Sequence, residues 1–178
     1  MSRKYRIHDP QGLYFVSFAT VGWMDLFTRR EYKDIIVDSL KHCQTEKGLL
    51  IYEWVIMTSH VHLLVSSDGT SGLSDILRDL KKYTAKQLVK AIEQHPQESR
   101  REWLLKTFRE AGEQNSNNTT YQVWQQNNQP LQLERTEEVE RVTEYIRQNP
   151  VKEGFVAEAE DYLYSSAYEP GLLQLEEA

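Results

Sequence analysis

Apolar residues recur along this chain with two different spacings, and the change of spacing divides it into strands and helices. Runs rich in β-branched and aromatic residues between turn residues indicate strands. Apolar residues three and four positions apart indicate amphipathic helices. These patterns predict strands at 12–23, 49–57 and 60–67, a fourth strand or irregular crossing within 121–133, and helices at 28–48, 71–94, 99–112 and 136–150.

Several predicted boundaries have a local cause. Gly48 stops the first helix, and Pro150 ends the last one. Residues 58–59 leave room only for a tight turn, so the second and third strands should pair antiparallel. Ser99 and Glu102 have the spacing of a capping box at the start of the third helix.

The order of the elements indicates the fold class. A βαββαβα order with an antiparallel centre predicts an α+β sandwich of the ferredoxin-like, split βαβ kind, with helices packed on a central antiparallel sheet. A chain of 178 residues that is 39% hydrophobic suits one domain. We expect a core at 9–168 and an acidic tail at 169–178.

Composition narrows the setting in which the protein works. Cys43 is the single cysteine, so no intramolecular disulfide can form, as is common in reducing compartments. The basic start leads into no apolar core of 7–15 residues, so no secretory signal is expected. No apolar run approaches the roughly 20 residues that span a membrane. We therefore expect a cytoplasmic protein with no membrane partner.

The net charge of −6 is unevenly distributed: residues 1–110 carry +3 and residues 111–178 carry −9. Overall acidity does not exclude DNA, because binding to its backbone needs only a local basic patch. The candidate DNA-binding residues are Arg78, Lys81, Lys82 and Lys86 on the second helix and Arg3, Lys4 and Arg6 near the start. The alternatives are a solvated helix face balanced by Asp75 and Asp79 and an ordinary terminus. Trp103, Tyr121 and Trp124 either stack on unpaired bases or belong to the core.

Two histidines interrupt the apolar run of the third strand, in the stretch "MTSHVHLLV" at 57–65. Side chains two apart on a strand share a face, so His60 and His62 point the same way. Two imidazoles about 6–7 Å apart along a strand can converge on one cation. The alternative is that both histidines face solvent or satisfy ordinary hydrogen bonds.

A second polar pair lies on the last helix, in "EYIRQNP". Tyr145 and Asn149 are four residues apart and hence on one helix face. A phenol and an amide oxygen presented together can act as nucleophile and metal ligand. Alternatively, Tyr145 belongs to the apolar stripe, and Asn149 only ends the helix before Pro150.

Taken together, three segments resemble the single-tyrosine HUH transposases of IS200-like type, in particular the REP-associated tyrosine transposases. They are "MTSHVHLLV" (57–65), "YIRQNPVKEGFV" (145–156) and "YLYSSA" (162–167). Their order, spacing and flanking residues all agree with that family. The resemblance runs from about Leu13 to Ala167.

The resemblance implies a metal-dependent endonuclease and transposase that cleaves and rejoins single-stranded DNA at hairpins such as REP elements. By this likeness His60 and His62 bind a divalent cation, Mg²⁺ or Mn²⁺, and Asn149 supplies a third ligand. Tyr145 matches the nucleophile that forms a 5′-phosphotyrosine and frees a 3′-OH. The family implies either a homodimer with the tyrosine helix placed in trans or a monomer.

The resemblance departs from the family after Trp-Gln-Gln, where near relatives often carry histidines and this chain has Asn127 and Gln129. Two other functions stay open. One is a non-cleaving, sequence- or hairpin-specific DNA-binding regulator derived from a transposase, against which the intact set of site residues argues. The other is a metal-dependent hydrolase that uses water, with Tyr145 only structural.

Overall fold

The computed structural model describes residues 7–115, 120–126 and 130–177, and within them the chain forms four strands and four helices. In chain order these are β1 (Leu13–Ala19), α1 (Arg30–Lys47), β2 (Leu49–Ile56), β3 (His60–Ser67), α2 (Leu73–Gln94), α3 (Arg101–Glu113), β4 (Leu131–Leu133) and α4 (Thr136–Lys152). Within these ranges, none of the helices combines the length and apolar character needed to cross a lipid bilayer.

The four strands form one antiparallel sheet in the order β2-β3-β1-β4. β1 and β2 run parallel to each other, are linked through α1, and are separated by β3, which is antiparallel to both. This is the split βαβ arrangement. The predicted α+β, ferredoxin-like fold class is therefore confirmed.

Helices cover both faces of the sheet. Phe18 of β1 meets the ring of Trp124 edge-on at 4.8 Å, and Trp124 Nε1 donates a hydrogen bond to Thr84 of α2. α1 packs beside α2. On the same strand, Phe15 contacts Tyr145 of α4. Because side chains alternate along a strand, α4 lies on the face opposite α2.

The end of α1 at Gly48 is where the sequence predicts it. Gly48 has a φ of 71°, in the left-handed region, and its N–H donates to the carbonyl of Cys43. A Cβ at this position would also collide with the side chain of Asp68. Glycine is thus required here by both backbone conformation and space.

β1 is shorter than predicted and ends at Ala19. The chain leaves the extended conformation because Gly22 and Trp23 both have positive φ, 64° and 53°. The region predicted as a strand or irregular crossing contains both forms: Trp124 makes one isolated bridge with Thr20, and the three-residue β4 pairs with β1.

The start of α3 differs from the prediction. The helix begins at Arg101, and Arg100 occupies the N-cap position without a side-chain cap, so the capping box of Ser99 and Glu102 is wrong. The carboxylate of Glu98 instead accepts the backbone N–H of Arg100 at 3.1 Å. A tertiary cluster therefore replaces the local cap.

α4 continues through Pro150 to Lys152, two residues beyond its predicted end. Proline lacks an N–H but holds φ near its helical value, so a helix can pass through it where packing compensates. Both Asn149 and Pro150 are buried. The helix then ends where the N–H of Glu153 donates to the carbonyl of Asn149.

The segment after α4 covers the outer edge of β2. Ser166 N–H donates to the carbonyl of Trp54 at 2.9 Å, and Glu176 N–H donates to the carbonyl of Ile51 at 2.8 Å. The predicted ordered tail at 162–167 is part of this cover. An edge strand with satisfied backbone groups is a poor template for aggregation.

A buried ionic cluster joins α1 to the connection between α2 and α3. Glu98 is 5% exposed and accepts hydrogen bonds from Arg29 at 2.9 Å, Tyr32 at 3.0 Å and Arg100 at 3.2 Å. Burial alone raises the pKa of Glu98, but the hydrogen bonds from Arg100, Arg29 and Tyr32 outweigh it and hold the pKa at about 2.

We expect Glu98→Gln to lower the free energy of unfolding at pH 7 by about 2 kcal/mol and to flatten its pH dependence. A depressed pKa means that the carboxylate stabilises the fold above its ordinary pKa of 4.5. That stabilisation is lost as the pH falls from 4.5 toward 2. Urea denaturation at pH 7, 5 and 3 measures it, with the exposed Glu102→Gln as control. If the free energy of unfolding fell equally in wild type and in Glu98→Gln below pH 5, the stabilising role of the Glu98 carboxylate would be contradicted.

Candidate active site

β3 presents His60 and His62 on one face of the sheet, as the sequence predicts. The two ring centroids are 4.7 Å apart. His62, paired with Ser17 of β1, is 6% exposed, and His60, paired with Ala19, is half-buried. The alternative that both rings face solvent is therefore wrong for His62.

α4 brings Tyr145 to these histidines. Its Oη lies 3.3 Å from His62 Nε2. Phe15 packs against both rings, stacked on His62 at 5.4 Å and edge-on to Tyr145 at 5.9 Å. Tyr145 is nonetheless 39% exposed, so its phenol is accessible to a large substrate. The two polar pairs found separately in the sequence meet within one chain, while the oligomeric state stays a prediction.

Asn149 lies one helical turn beyond Tyr145 and is 7% exposed. Two buried atoms of the site, Asn149 Oδ1 and His62 Nδ1, have no hydrogen-bond partner in the part of the chain that the structure describes. Buried polar atoms are nearly always paired, because an unpaired one loses its hydration without compensation. These two orphaned atoms indicate that the site is built for a further ligand.

The residues present fit a divalent transition-metal ion. Imidazole nitrogen and amide oxygen are both suitable ligands for such an ion. Metal-binding histidines must be neutral. Burial lowers the pKa of His60, against opposing effects of Glu153 and Asn149, and burial together with His60 lowers the pKa of His62 to about 3. Both imidazoles are therefore neutral at physiological pH.

The tight turn before β3 orients His60. Ser59 Oγ lies 3.1 Å from His60 Nδ1, which leaves Nε2 of the ring for another partner. The carbonyl of Ser59 accepts hydrogen bonds from both the backbone N–H and the hydroxyl of the buried Thr20, at 2.9 and 3.1 Å. Outer contacts of this kind hold a ligand ring in one orientation.

An ion pair that was not predicted holds α4 on the sheet. Arg147 Nε lies 3.0 and 3.1 Å from the two carboxylate oxygens of Glu53, and Nη2 lies 2.7 Å from one of them. Glu53 is 5% exposed and also accepts a hydrogen bond from Ser166. The sequence signal was a lone carboxylate inside the apolar run "LLIYEWVIM".

Lys152, from the end of the same helix, lies 5.7 Å from the centroid of the Tyr145 ring.

The predicted DNA-binding residues on α2 lie apart from this site, since α2 and α4 cover opposite faces of the sheet. Arg78 is bound to Asp75 at 2.5 Å and to Asp79 at 3.1 Å. Lys81 is partly buried, donates to the carbonyl of Gln125, and has its pKa lowered to about 8 by burial. Lys82 and Lys86 are exposed, as is the paired Arg78.

Other predicted contacts divide between the core and the surface. Trp124 is 4% exposed and belongs to the core, whereas Trp103 on α3 is 53% exposed. Tyr121 is intermediate and lies against Arg109. Five residues named in the sequence analysis lie outside the described ranges: Arg3, Lys4, Arg6, Asn127 and Gln129.

Residues 24–108 match the family model described as "Transposase IS200 like". The match includes His60 and His62 and ends before Tyr145. It confirms the resemblance to IS200-like transposases seen in the sequence. Among curated proteins, none matches the chain significantly.

Solved structures share the fold. The chain is similar to a REP-associated tyrosine transposase bound to a REP hairpin, with 19% sequence identity, a TM-score of 0.64, and coverage of 93% of this chain and 82% of that one. A protein described as a candidate transposase from Deinococcus radiodurans has 19% identity, a TM-score of 0.48, and coverage of 82% and 95%. At these identities the first likeness establishes the fold, and the second is too distant to support an argument.

We expect Arg147→Ala to lower the free energy of unfolding by about 2 kcal/mol, because it leaves the buried Glu53 carboxylate without its charged partner. The value is below that of a fully buried pair, since the Arg147 side chain is 45% exposed. Urea denaturation measures the change. Arg141→Ala, an exposed arginine on the same helix, is the control and should change stability by less than about 0.5 kcal/mol. Equal losses in the two variants would contradict a specific role of the ion pair.

Proposed function

We propose that this chain, whose residues 24–108 carry an IS200-like transposase domain, cleaves and rejoins single-stranded DNA through a 5′-phosphotyrosine intermediate. The reaction is metal-dependent and takes place at hairpin or REP-type sequences. One observation carries the proposal: Tyr145 Oη lies 3.3 Å from His62 Nε2, beside two orphaned, buried ligand atoms.

Tyr145 is the proposed nucleophile. Its phenol releases a proton to solvent, the oxygen attacks phosphorus, the bond from phosphorus to the 3′ oxygen breaks, and that oxygen takes up a proton from solvent. The products are a phosphodiester between Tyr145 and the 5′ end and a free 3′-OH. Attack by another 3′-OH reverses the step and releases Tyr145. Because the phosphotyrosine bond conserves the energy of the original phosphodiester, strand joining needs no external energy source.

Neighbouring side chains prepare the phenol for this attack. His62 Nε2 is within reach of the hydroxyl, but with a pKa of about 3 it holds a proton poorly, so we assign it to orientation rather than to retention of the proton. Phe15 limits the rotation of the Tyr145 ring. The ammonium group of Lys152 lies over the Tyr145 ring, 5.7 Å from its centroid.

His60, His62 and Asn149 would hold the divalent cation, Mg²⁺ or Mn²⁺. When bound, such an ion neutralises charge that develops on the non-bridging phosphate oxygens. The chain itself contributes two neutral imidazoles, the buried amide oxygen of Asn149, and a His60 ring oriented by Ser59.

A hairpin substrate is supported by the first solved relative, which is bound to a REP hairpin. Lys82 and Lys86 of α2 are separated from Tyr145 by the thickness of the sheet. They therefore suit contact with a hairpin stem or a second DNA segment better than contact with the scissile phosphate. Binding through such residues would weaken with salt.

We expect a covalent adduct between the protein and DNA that depends on Tyr145. Hairpin oligonucleotides with unpaired flanks, labelled at the 3′ end, are incubated with the protein and Mn²⁺ and resolved on a denaturing protein gel. The label should move with the protein in wild type and in Tyr83→Phe, an exposed tyrosine on α2, and should be absent from the protein band in Tyr145→Phe. A 5′ label should appear on a shortened strand with a free 3′-OH.

Two results would contradict this assignment. Cleavage that survives in Tyr145→Phe and leaves a free 5′-phosphate would show that water is the nucleophile. Hairpin binding by wild type with no cleavage under any divalent-ion condition would indicate a non-cleaving DNA-binding regulator.

We expect one Mn²⁺ to bind per chain and to be lost when His60→Ala and His62→Ala are combined. Asn149→Ala should weaken binding by about tenfold, by removal of one ligand. Isothermal titration with MnCl₂ measures both effects. His42→Ala, an exposed histidine on α1, is the matched control and should bind like wild type. Stoichiometric binding retained in the double variant would contradict the metal site.

A further inference from the structure

Trp23 is a large apolar side chain exposed beside the candidate active site. It is 59% exposed, and its ring centroid lies 5.6 Å from that of His60. The two rings are inclined at 69° and are not stacked on each other. The sequence predicted Trp23 as the last residue of a strand and gave it no functional role. An exposed tryptophan next to a catalytic histidine pair has no role in the core, so its position calls for another explanation.

The backbone of Trp23 is strained. Its φ of 53° makes it the one non-glycine residue with positive φ in the described ranges. For a residue with a bulky side chain the left-handed region is unfavourable. Strain of this kind persists where the surrounding structure imposes it, and it is concentrated at ligand-binding sites.

Buried contacts impose the strained turn. Thr20 is fully buried, and its hydroxyl donates to the carbonyls of Met24 and Ser59, at 2.8 and 3.1 Å. The N–H of Trp23 donates to the carbonyl of Thr20 at 3.0 Å. Thr20 therefore hydrogen-bonds both to the end of the turn, at Met24, and to Ser59, the residue that precedes His60. Trp23 and the His60 ring are held relative to each other.

We propose that Trp23 stacks on an unpaired base of single-stranded DNA and thereby sets which phosphate lies over the histidines. Aromatic stacking on bases is the usual way in which proteins hold unpaired nucleotides. The 5.6 Å between the Trp23 and His60 ring centroids is comparable with the spacing of neighbouring nucleotides along a single strand. The stacked base therefore belongs to a nucleotide adjacent to the scissile phosphate. The inference rests on the proposed function, because it takes single-stranded DNA as the ligand.

The test is a scan with abasic nucleotides. A single abasic site is moved along the unpaired flank of a hairpin oligonucleotide, and affinity is measured by fluorescence anisotropy in a Tyr145→Phe background, where the DNA stays intact. With Trp23 present, removal of one base should weaken binding about tenfold, in line with stacking on an aromatic ring. With Trp23→Gly, intact DNA should bind about tenfold more weakly, and the abasic site at that position should have no further effect.

Three controls separate stacking from structure. Trp23→Phe keeps an aromatic ring and should keep most of the affinity and the abasic profile. Trp103→Ala removes a similarly exposed tryptophan on α3 and should change neither the affinity nor the abasic profile. Trp23→Gly relieves the positive φ, so its thermal unfolding midpoint should be no lower than that of wild type.

Each outcome has a distinct meaning. Full affinity and an unchanged abasic profile in Trp23→Gly would overturn the stacking role while leaving the cleavage proposal intact. A Trp23-dependent abasic profile in a protein whose wild type forms no covalent adduct would support stacking and contradict the proposed function. Absence of any affinity for single-stranded or hairpin DNA would overturn both.

Discussion

The ion pair between Arg147 of α4 and Glu53 of β2 determines how the last helix lies on the sheet, and the candidate active site depends on it. A carboxylate that is 5% exposed requires a compensating charge, and the guanidinium of Arg147 supplies it through two of its nitrogens. Tyr145 and Asn149 flank Arg147 on the same helix. A shift of one residue would rotate both by about 100° and remove them from the histidines.

Burial serves the chemistry of the site in two ways. It lowers the pKa of both histidines, so that both imidazoles are neutral at physiological pH. Among the described residues it also leaves Asn149 Oδ1 and His62 Nδ1 without a hydrogen-bond partner, which a bound ion would relieve. Tyr145, by contrast, stays 39% exposed. Neutral, largely buried polar groups beside an accessible phenol would suit the large anionic substrate that is proposed.

Local periodicity predicted most of the fold and failed where tertiary contacts override it. The strand bearing His60 and His62 was predicted with its observed bounds, because alternation along a strand is a property of the local chain. The capping box at Ser99 failed, because the buried Glu98 supplies the acceptor instead. The row of basic residues on α2 was visible in the sequence, and the pairing of Arg78 follows the alternative of a helix face balanced by Asp75 and Asp79.

The sequence by itself determined the elements, their antiparallel centre and the two polar pairs, since each depends on residues within a few positions of one another. Only the resemblance to a family connected His62 with Tyr145, which are 83 positions apart. The tertiary structure decided their contact, the neutral state of the histidines, the register imposed by Glu53, and the exposure of Trp23. The physical reason is that burial, ion pairing and imposed backbone strain arise between segments distant in sequence, where no local pattern records them.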